Sequence, residues 1–359
     1  MGSEAAGGSR SGALAGGAWR EFLVRGSAAA GVPAAALSAT LAAAALALWL
    51  GGYDPAAAAI ALFRGALGSR EAFLSITLVR ATPLILTGLA VAVAFRAGVW
   101  NIGAEGQLYA GAVAGVWVGL RAGGLAPWLA VTSVLAASAV AGALWSAIPA
   151  VMKLKMDVGE VITTLLMNFV AIDLAAYAVR GPLQEARGVF PQTEAIADSA
   201  RLGILVPGTR LHAGLLVGLV LAVAAWAFLR WAAGGFAVRA VGASPEAAAV
   251  SGRIRVALVA AGTFLVSGGL AGLAGGVEVS GVTYALYEGL SPGWGYTAIA
   301  VALLGRLNPL GVVLAGVFFG ALEGGSAAMQ RAAGIPSAWV GVVEALAVLC
   351  ALAAERFRG

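Results

Sequence analysis

Apolar residues run through this chain in stretches of about 20, the length that carries a helix across a bilayer. Only short polar breaks separate the stretches from Val32 to Leu352. The pattern places ten spans, at 32–50, 73–95, 106–121, 126–151, 158–179, 212–231, 256–276, 293–306, 309–329 and 337–354. The segment 56–68 is apolar but short and carries Arg64, so it is expected to lie in the interface or to re-enter. The weakest span is 293–306, which is short and opens "PGWGY". The expected fold is therefore an all-α integral membrane protein, a polytopic bundle of about ten transmembrane helices.

Ten crossings put both termini on one side, and basic residues say which. Lys153 and Lys155, then Arg230, Arg239, Arg253 and Arg255, then Arg356 and Arg358 all fall on the side of the termini. An excess of Lys and Arg marks the cytoplasmic side. The first thirty residues, rich in Gly, Ala and Ser, are expected to form a flexible cytoplasmic tail, and 31–355 the membrane domain. The run after the tail is long enough to span, which favours an uncleaved first helix over a signal peptide. The largest extracytoplasmic loop is expected at 181–210, where prolines and polar residues punctuate the chain.

Composition removes several functions. Of 359 residues 61% are hydrophobic and 11% charged, against roughly 25% charged in an average soluble domain. One cysteine, one histidine and two lysines exclude a disulfide framework and a Cys/His metal cluster. Neither Lys153 nor Lys155 stands in a phosphate-binding G-x-x-x-x-G-K-[ST] loop, so any ATP used must be bound by another subunit. No cofactor is expected on this chain, and no nucleic-acid partner.

Glycines at every fourth position, Gly111/Gly115/Gly119, Gly268/Gly272/Gly276 and Gly316/Gly320/Gly324, let helix backbones approach closely in lipid. They predict tight packing and no substrate. The cytoplasmic loop 233–255 holds "GASPEAAAVSG": Ser244 suits an N-cap, Pro245 the first helical position, Glu246 the positive helix end and Gly252 the exit. A short helix over about 245–251 follows. On physics alone it is either a capped connector or a knob that docks in a partner's groove.

Polar residues in the spans are fewer. "FRAGVWNIGAEGQLYAG" sets Arg96, Asn101, Glu105 and Gln107 among glycines, and "GEVITTLLMNFVAID" aligns Glu160, Thr164 and Asn168 along one helical face. Such groups are costly at membrane depth and commonly face the bundle interior or a water-filled path. Asn168 is expected near mid-depth, Glu160 at the cytoplasmic end, and Asn101, Glu105 and Gln107 toward the cytoplasmic side. Glu278 and Glu288 are expected in a loop, and Glu323 and Glu344 remain buried candidates without a named partner.

Five segments in order, "FRAGVWNIGAEGQ", "GEVITTLLMNFVA", "RAVGASPEAAAVSG", "SGGLAGLAGGVEV" and "GWGYTAIAVALLGRLNPLG", resemble the permease subunit of bacterial ABC importers. The resemblance is to the branched-chain amino acid/simple sugar permease superfamily, in its nucleoside-type branch, and covers about 77–350. Sugar permeases carry an Asp-Leu-Ser-Val-Gly type sequence where this chain has "WNIGAEGQ". The resemblance implies that Arg239, Gly242, Glu246, Ala247, Ala248 and Gly252 couple to a cytoplasmic ATPase, which binds ATP and Mg. It also implies a second homologous permease subunit, an extracytoplasmic substrate-binding lipoprotein and residence in the bacterial cytoplasmic membrane. Asn101, Glu105, Gln107 and Asn168 become candidates for the solute pathway, with Trp100, Trp294 and Tyr296 as stacking faces. The family pattern does not settle which of them touch solute or brace helices. Nucleosides are the expected cargo, with simple sugars or another small polar solute as the alternative. An ATP-independent channel or carrier would use the same polar residues, whereas an intramembrane enzyme lacks a visible catalytic constellation.

Overall fold

The computed structural model describes residues 38, 41–336 and 338–356. The expected tail at 1–30 and the start of the first expected span lie outside them. The chain divides into two compact units, Ala57–Val340 and the pair of chain ends. The ends contribute helix α1, Leu41–Leu50, and most of α13, Ala338–Arg356.

The main unit is a helical bundle. It comprises α2 (Pro55–Leu67), α3 (Leu78–Arg96), α4 (Ala104–Gly119), α5 (Pro127–Met156), α6 (Glu160–Arg180), α7 (Gly214–Trp231), α8 (Ala233–Ala243), α9 (Pro245–Val250), α10 (Val256–Glu278), α11 (Trp294–Leu304) and α12 (Pro309–Ala333). Wider π turns extend α3 backward over Ala72–Thr77 and α10 forward over Val279–Thr283. Among the described residues β pairing is limited to two isolated bridges.

Among the described residues six helical runs are long and apolar enough to cross a membrane: Ala72–Arg96, Pro127–Met156, Glu160–Arg180, Gly214–Trp231, Val256–Thr283 and Pro309–Ala333. The spans expected at 106–121 and 293–306 correspond to helices of only 16 and 11 residues. At 1.5 Å per residue neither spans a hydrocarbon core about 30 Å thick. The 56–68 segment is a 13-residue helix, likewise short of a crossing.

Two faces of the bundle can be told apart by what lies on them. On the basic face the ends of α3, α5 and α7 and the start of α10 converge on a cluster of Ala94, Ala97, Val99, Ala150, Leu229, Val238 and Phe264. Lys153 pairs with Glu160 there at 2.6 Å, and Arg96 Nε donates to the Leu307 carbonyl at 3.0 Å. On the opposite, loop face the segment 181–213 is tied down by backbone bonds. Thr193, Ile196 and Leu202 donate to the carbonyls of Leu286, Tyr284 and Ser280, and Ala197 to that of Gly119. Arg180 forks onto Glu288 at 2.7 to 3.0 Å. The expected loop is thus a fixed cover.

Glycine spacing does what lipid requires of it. A Cβ on Gly272 would fall on the Ser138 carbonyl and the Gly142 backbone, and one on Gly111 would strike Gly272 itself, so α4, α5 and α10 touch backbone to backbone. Gly320 presses in the same way on α3 at Thr77 and Ala81.

Candidate functional site

Residues 97–103 leave the basic face without helical structure and climb to the start of α4. Asn101 meets Ser267, the twelfth residue of the 28-residue run Val256–Thr283. Leu108 and Gly111 abut Gly275 and Gly272. The N-terminus of α4 therefore lies near the middle of the bundle, and Asn101, Glu105 and Gln107 stand deeper than the cytoplasmic side where the sequence placed them. A second non-helical limb descends from the loop face: Leu286 bonds Thr193 there, and Ser291 is already inside, donating its amide to the Tyr109 hydroxyl at 3.1 Å. From Trp294 the chain continues as α11 to Leu304, where Arg96 holds the following loop.

The two short helices start at the same level and meet. Gly295, in the first turn of α11, is so close to Ala104 and Glu105 that a Cβ there would overlap their backbone. The Glu105 carboxylate accepts the Gly295 N–H at 2.6 Å, and the Ser291 hydroxyl donates to the same carboxylate. Ser291 Oγ in turn accepts the amides of Gly293 and Trp294. Helix N-termini carry partial positive charge and free N–H groups. One buried carboxylate thus compensates two of them, and Glu105 is 1% exposed.

Backbone that is not helical at this depth must find its partners from side chains, because hydrocarbon offers none. Asn168 on α6 accepts the Gly106 N–H at 2.8 Å and donates to the Ile102 carbonyl at 2.9 Å. Thr164 accepts the Ile102 N–H at 3.2 Å. Asn101 accepts the Gly103 N–H, exchanges two hydrogen bonds with the Gln107 amide at 2.9 and 3.0 Å, and donates to Ser267 Oγ. Ser267 closes the chain on the Ala90 carbonyl at 2.7 Å. Asn101, Gln107 and Asn168 are all buried, and the side-chain nitrogen and oxygen of each have at least one hydrogen-bond partner.

The expected stacking residues separate. Tyr296 is half-buried at the junction with its hydroxyl against Asn168. Trp294 is buried and donates its indole N–H to Glu323 at 3.1 Å, and Glu323 lies 3.5 Å from Arg80. Trp100 is elsewhere, 53% exposed at the basic face with Phe95 beside it. Glu278 is in the last turn of α10 and buried, not in a loop as its sequence position suggested; Glu288 is in the loop. Ser267, Ser291, Tyr109 and Arg80 belong to this set and the sequence did not single them out. Among the described residues no group of His, Cys, Asp and Glu could hold a metal.

The coupling candidates form one arm on the basic face. Arg239 and Gly242 belong to α8, and a Cβ on Gly242 would strike the Arg96 carbonyl, fixing α8 to the end of α3. Ser244 Oγ accepts the Ala247 amide at 3.2 Å, Pro245 opens α9, and Gly252 leaves it at φ 67°, as the sequence predicts. Ala248 packs inward while Glu246, Ala247 and Val250 face outward, Val250 at 87% exposure.

Residues 73–352 match the family of branched-chain amino acid transport system permease components. The glucose ABC transporter permease protein TsgB13 of Haloferax volcanii is 41% identical over 91% of this chain and 88% of its own. The guanosine ABC transporter permease protein NupP of Bacillus subtilis is 38% identical over 89% and 91%. The nucleoside ABC transporter permease protein NupB of Lactococcus lactis is 31% identical over 82% of each. No solved structure matches.

Proposed function

Since the chain belongs to the branched-chain amino acid transport permease family and is a multi-pass membrane subunit of the ABC transporter kind, we propose that it imports nucleosides. What carries the cargo is the likeness to guanosine and nucleoside permeases along nearly the whole of both chains. Glucose is the second reading, favoured by the relative at 41% identity.

In this reading the chain crosses the membrane ten times, with α4 and α11 each completing a crossing through its non-helical limb. The termini and the basic face are cytoplasmic, and the loop face meets an extracytoplasmic binding lipoprotein. A cytoplasmic ATPase receives α9, so that closure of its ATP- and Mg-loaded halves moves α8 and α9, and through Gly242 the end of α3. A second, homologous permease subunit completes the path. Alternating access then opens the junction of α4 and α11 to each side in turn. Asn101, Gln107 and Asn168 brace the limbs. Glu105, Tyr296 and Trp294 are the groups nearest a passing solute, and this chain makes and breaks no covalent bond.

The test is ATP-dependent uptake by the chain reconstituted in vesicles with its ATPase and partner permease. Guanosine competing out labelled nucleoside while glucose does not supports the first reading. The reverse selects the second, and uptake without an ATPase defeats both.

A further inference from the structure

At the basic face a cavity of about 200 Å³ opens between four elements, lined by Arg96 at the end of α3, Trp226 and Arg230 on α7, Arg239 on α8, and Asn308 with Pro309 at the start of α12. Three guanidinium groups line it and no carboxylate does. Arg239 Nη1 is buried without a hydrogen-bond partner. Arg230 is exposed and makes no ion pair or hydrogen bond among the described residues. Arg96 is held in place by the Leu307 and Arg306 carbonyls through Nε and Nη2, and among the described residues no hydrogen bond takes up its Nη1. Like charges gathered around a half-closed space repel one another unless an anion sits among them. Arginine's planar fork favours phosphate oxygens. Trp226 packs edge-on against Trp231 at 4.9 Å, and aromatic rings beside basic residues mark headgroup level in a bilayer, where basic pockets between helices hold lipid phosphates.

The geometry points to a phosphate-binding site formed by Arg96, Arg230 and Arg239, whose occupant is an anionic phospholipid headgroup or a free phosphate group. Bound there, the anion ties α7 and α8 to the end of α3 and the start of α12. The site goes beyond the transport reading and does not depend on the solute.

Purified full-length protein is examined by native mass spectrometry with phosphatidylglycerol against phosphatidylcholine, and by thermal unfolding with inorganic phosphate against chloride at equal ionic strength. Expected is selective retention of phosphatidylglycerol, a rise in melting temperature with phosphate, or both. Arg230→Gln and Arg239→Gln should each weaken the response about tenfold, the scale of one lost charge-assisted hydrogen bond. Arg121→Gln, on the loop face, should leave it unchanged. A response to phosphatidylglycerol alone identifies a lipid headgroup, and one to phosphate alone a free anion. Because Arg230 is exposed, its substitution tests the site without threatening the fold. Undiminished binding in Arg230→Gln and Arg239→Gln, or equal loss in Arg121→Gln, overturns the proposal. It also falls if those substitutions break ATPase assembly while phosphate binding stands, since the pocket would then receive a partner's carboxylate.

Discussion

Alanine at Asn168 removes the partner of two backbone groups at once, the Gly106 amide and the Ile102 carbonyl. The Gly106 amide is buried and the Ile102 carbonyl part-buried, so Asn168→Ala should lower stability by about 2 kcal/mol. Thermal unfolding of the purified protein measures this, and a change under 0.5 kcal/mol would mean the limb finds other partners. Glu105→Ala should abolish most uptake even where protein level holds, because two helix N-termini lose their counter-charge. At the loop face, His212 accepts the Gly214 amide through Nδ1 while Nε2 has no partner. Burial, and then Arg210, lower its pKa from 6.5 to about 4. The unfolded chain takes up a proton below pH 6.5 and the folded one refuses it until about 4. The contribution of His212 to stability should therefore be constant above pH 6.5 and fall by about 3 kcal/mol toward pH 4. In His212→Gln that part of the acid limb should flatten. Asn101, Glu105, Gln107 and Asn168 were visible in the sequence as polar breaks in apolar runs. Their partners Ser267 and Ser291 were not, since a serine among glycines gives no sign of a neighbour more than 150 positions away.

For whole helices, close approach decides what substitution can do. Gly272→Val places atoms inside the backbone of α5, so the bundle should fail to assemble and the protein to accumulate. Gly262 on the same helix meets nothing within 4 Å, and Gly262→Ala should be neutral or slightly stabilising through helix propensity. Expression and melting temperature of the pair separate packing from composition. Glu246→Arg reverses the outward charge of α9 and should uncouple uptake from ATP hydrolysis with the bundle intact; retained uptake and ATPase binding would remove α9 from the coupling path. The caps of α9 were legible because Ser244, Pro245 and Gly252 act locally. The spans expected at 106–121 and 293–306 fall on α4 and α11, but hydropathy does not show that each is preceded by a non-helical limb. The signal lay in the glycines: Gly98, Gly289 and Gly293 all have positive φ, 71°, 76° and 106°, which mark the limbs as backbone that no helix can continue.

In the main unit, six helices among the described residues are long enough to cross a membrane, and the two broken passages meet at Glu105 and Gly295. With the basic face cytoplasmic, as proposed, in a variant with Cys350 replaced a cysteine at Lys155 should react with an impermeant thiol reagent only from the cytoplasm, and one at Arg187 only from outside. The opposite result inverts the topology and with it the proposed ATPase contact. The meeting of α4 and α11 has one more consequence. Amide protons in a continuous helix are shielded by their neighbours along the chain, but Ile102, Gly103 and Gly106 rely on side chains from 2 to 62 positions away. In deuterium these centrally placed amides should exchange sooner than those of α10 around them. The rate at Gly106 then becomes a clock for separation of α4 from α6, readable without any solute bound.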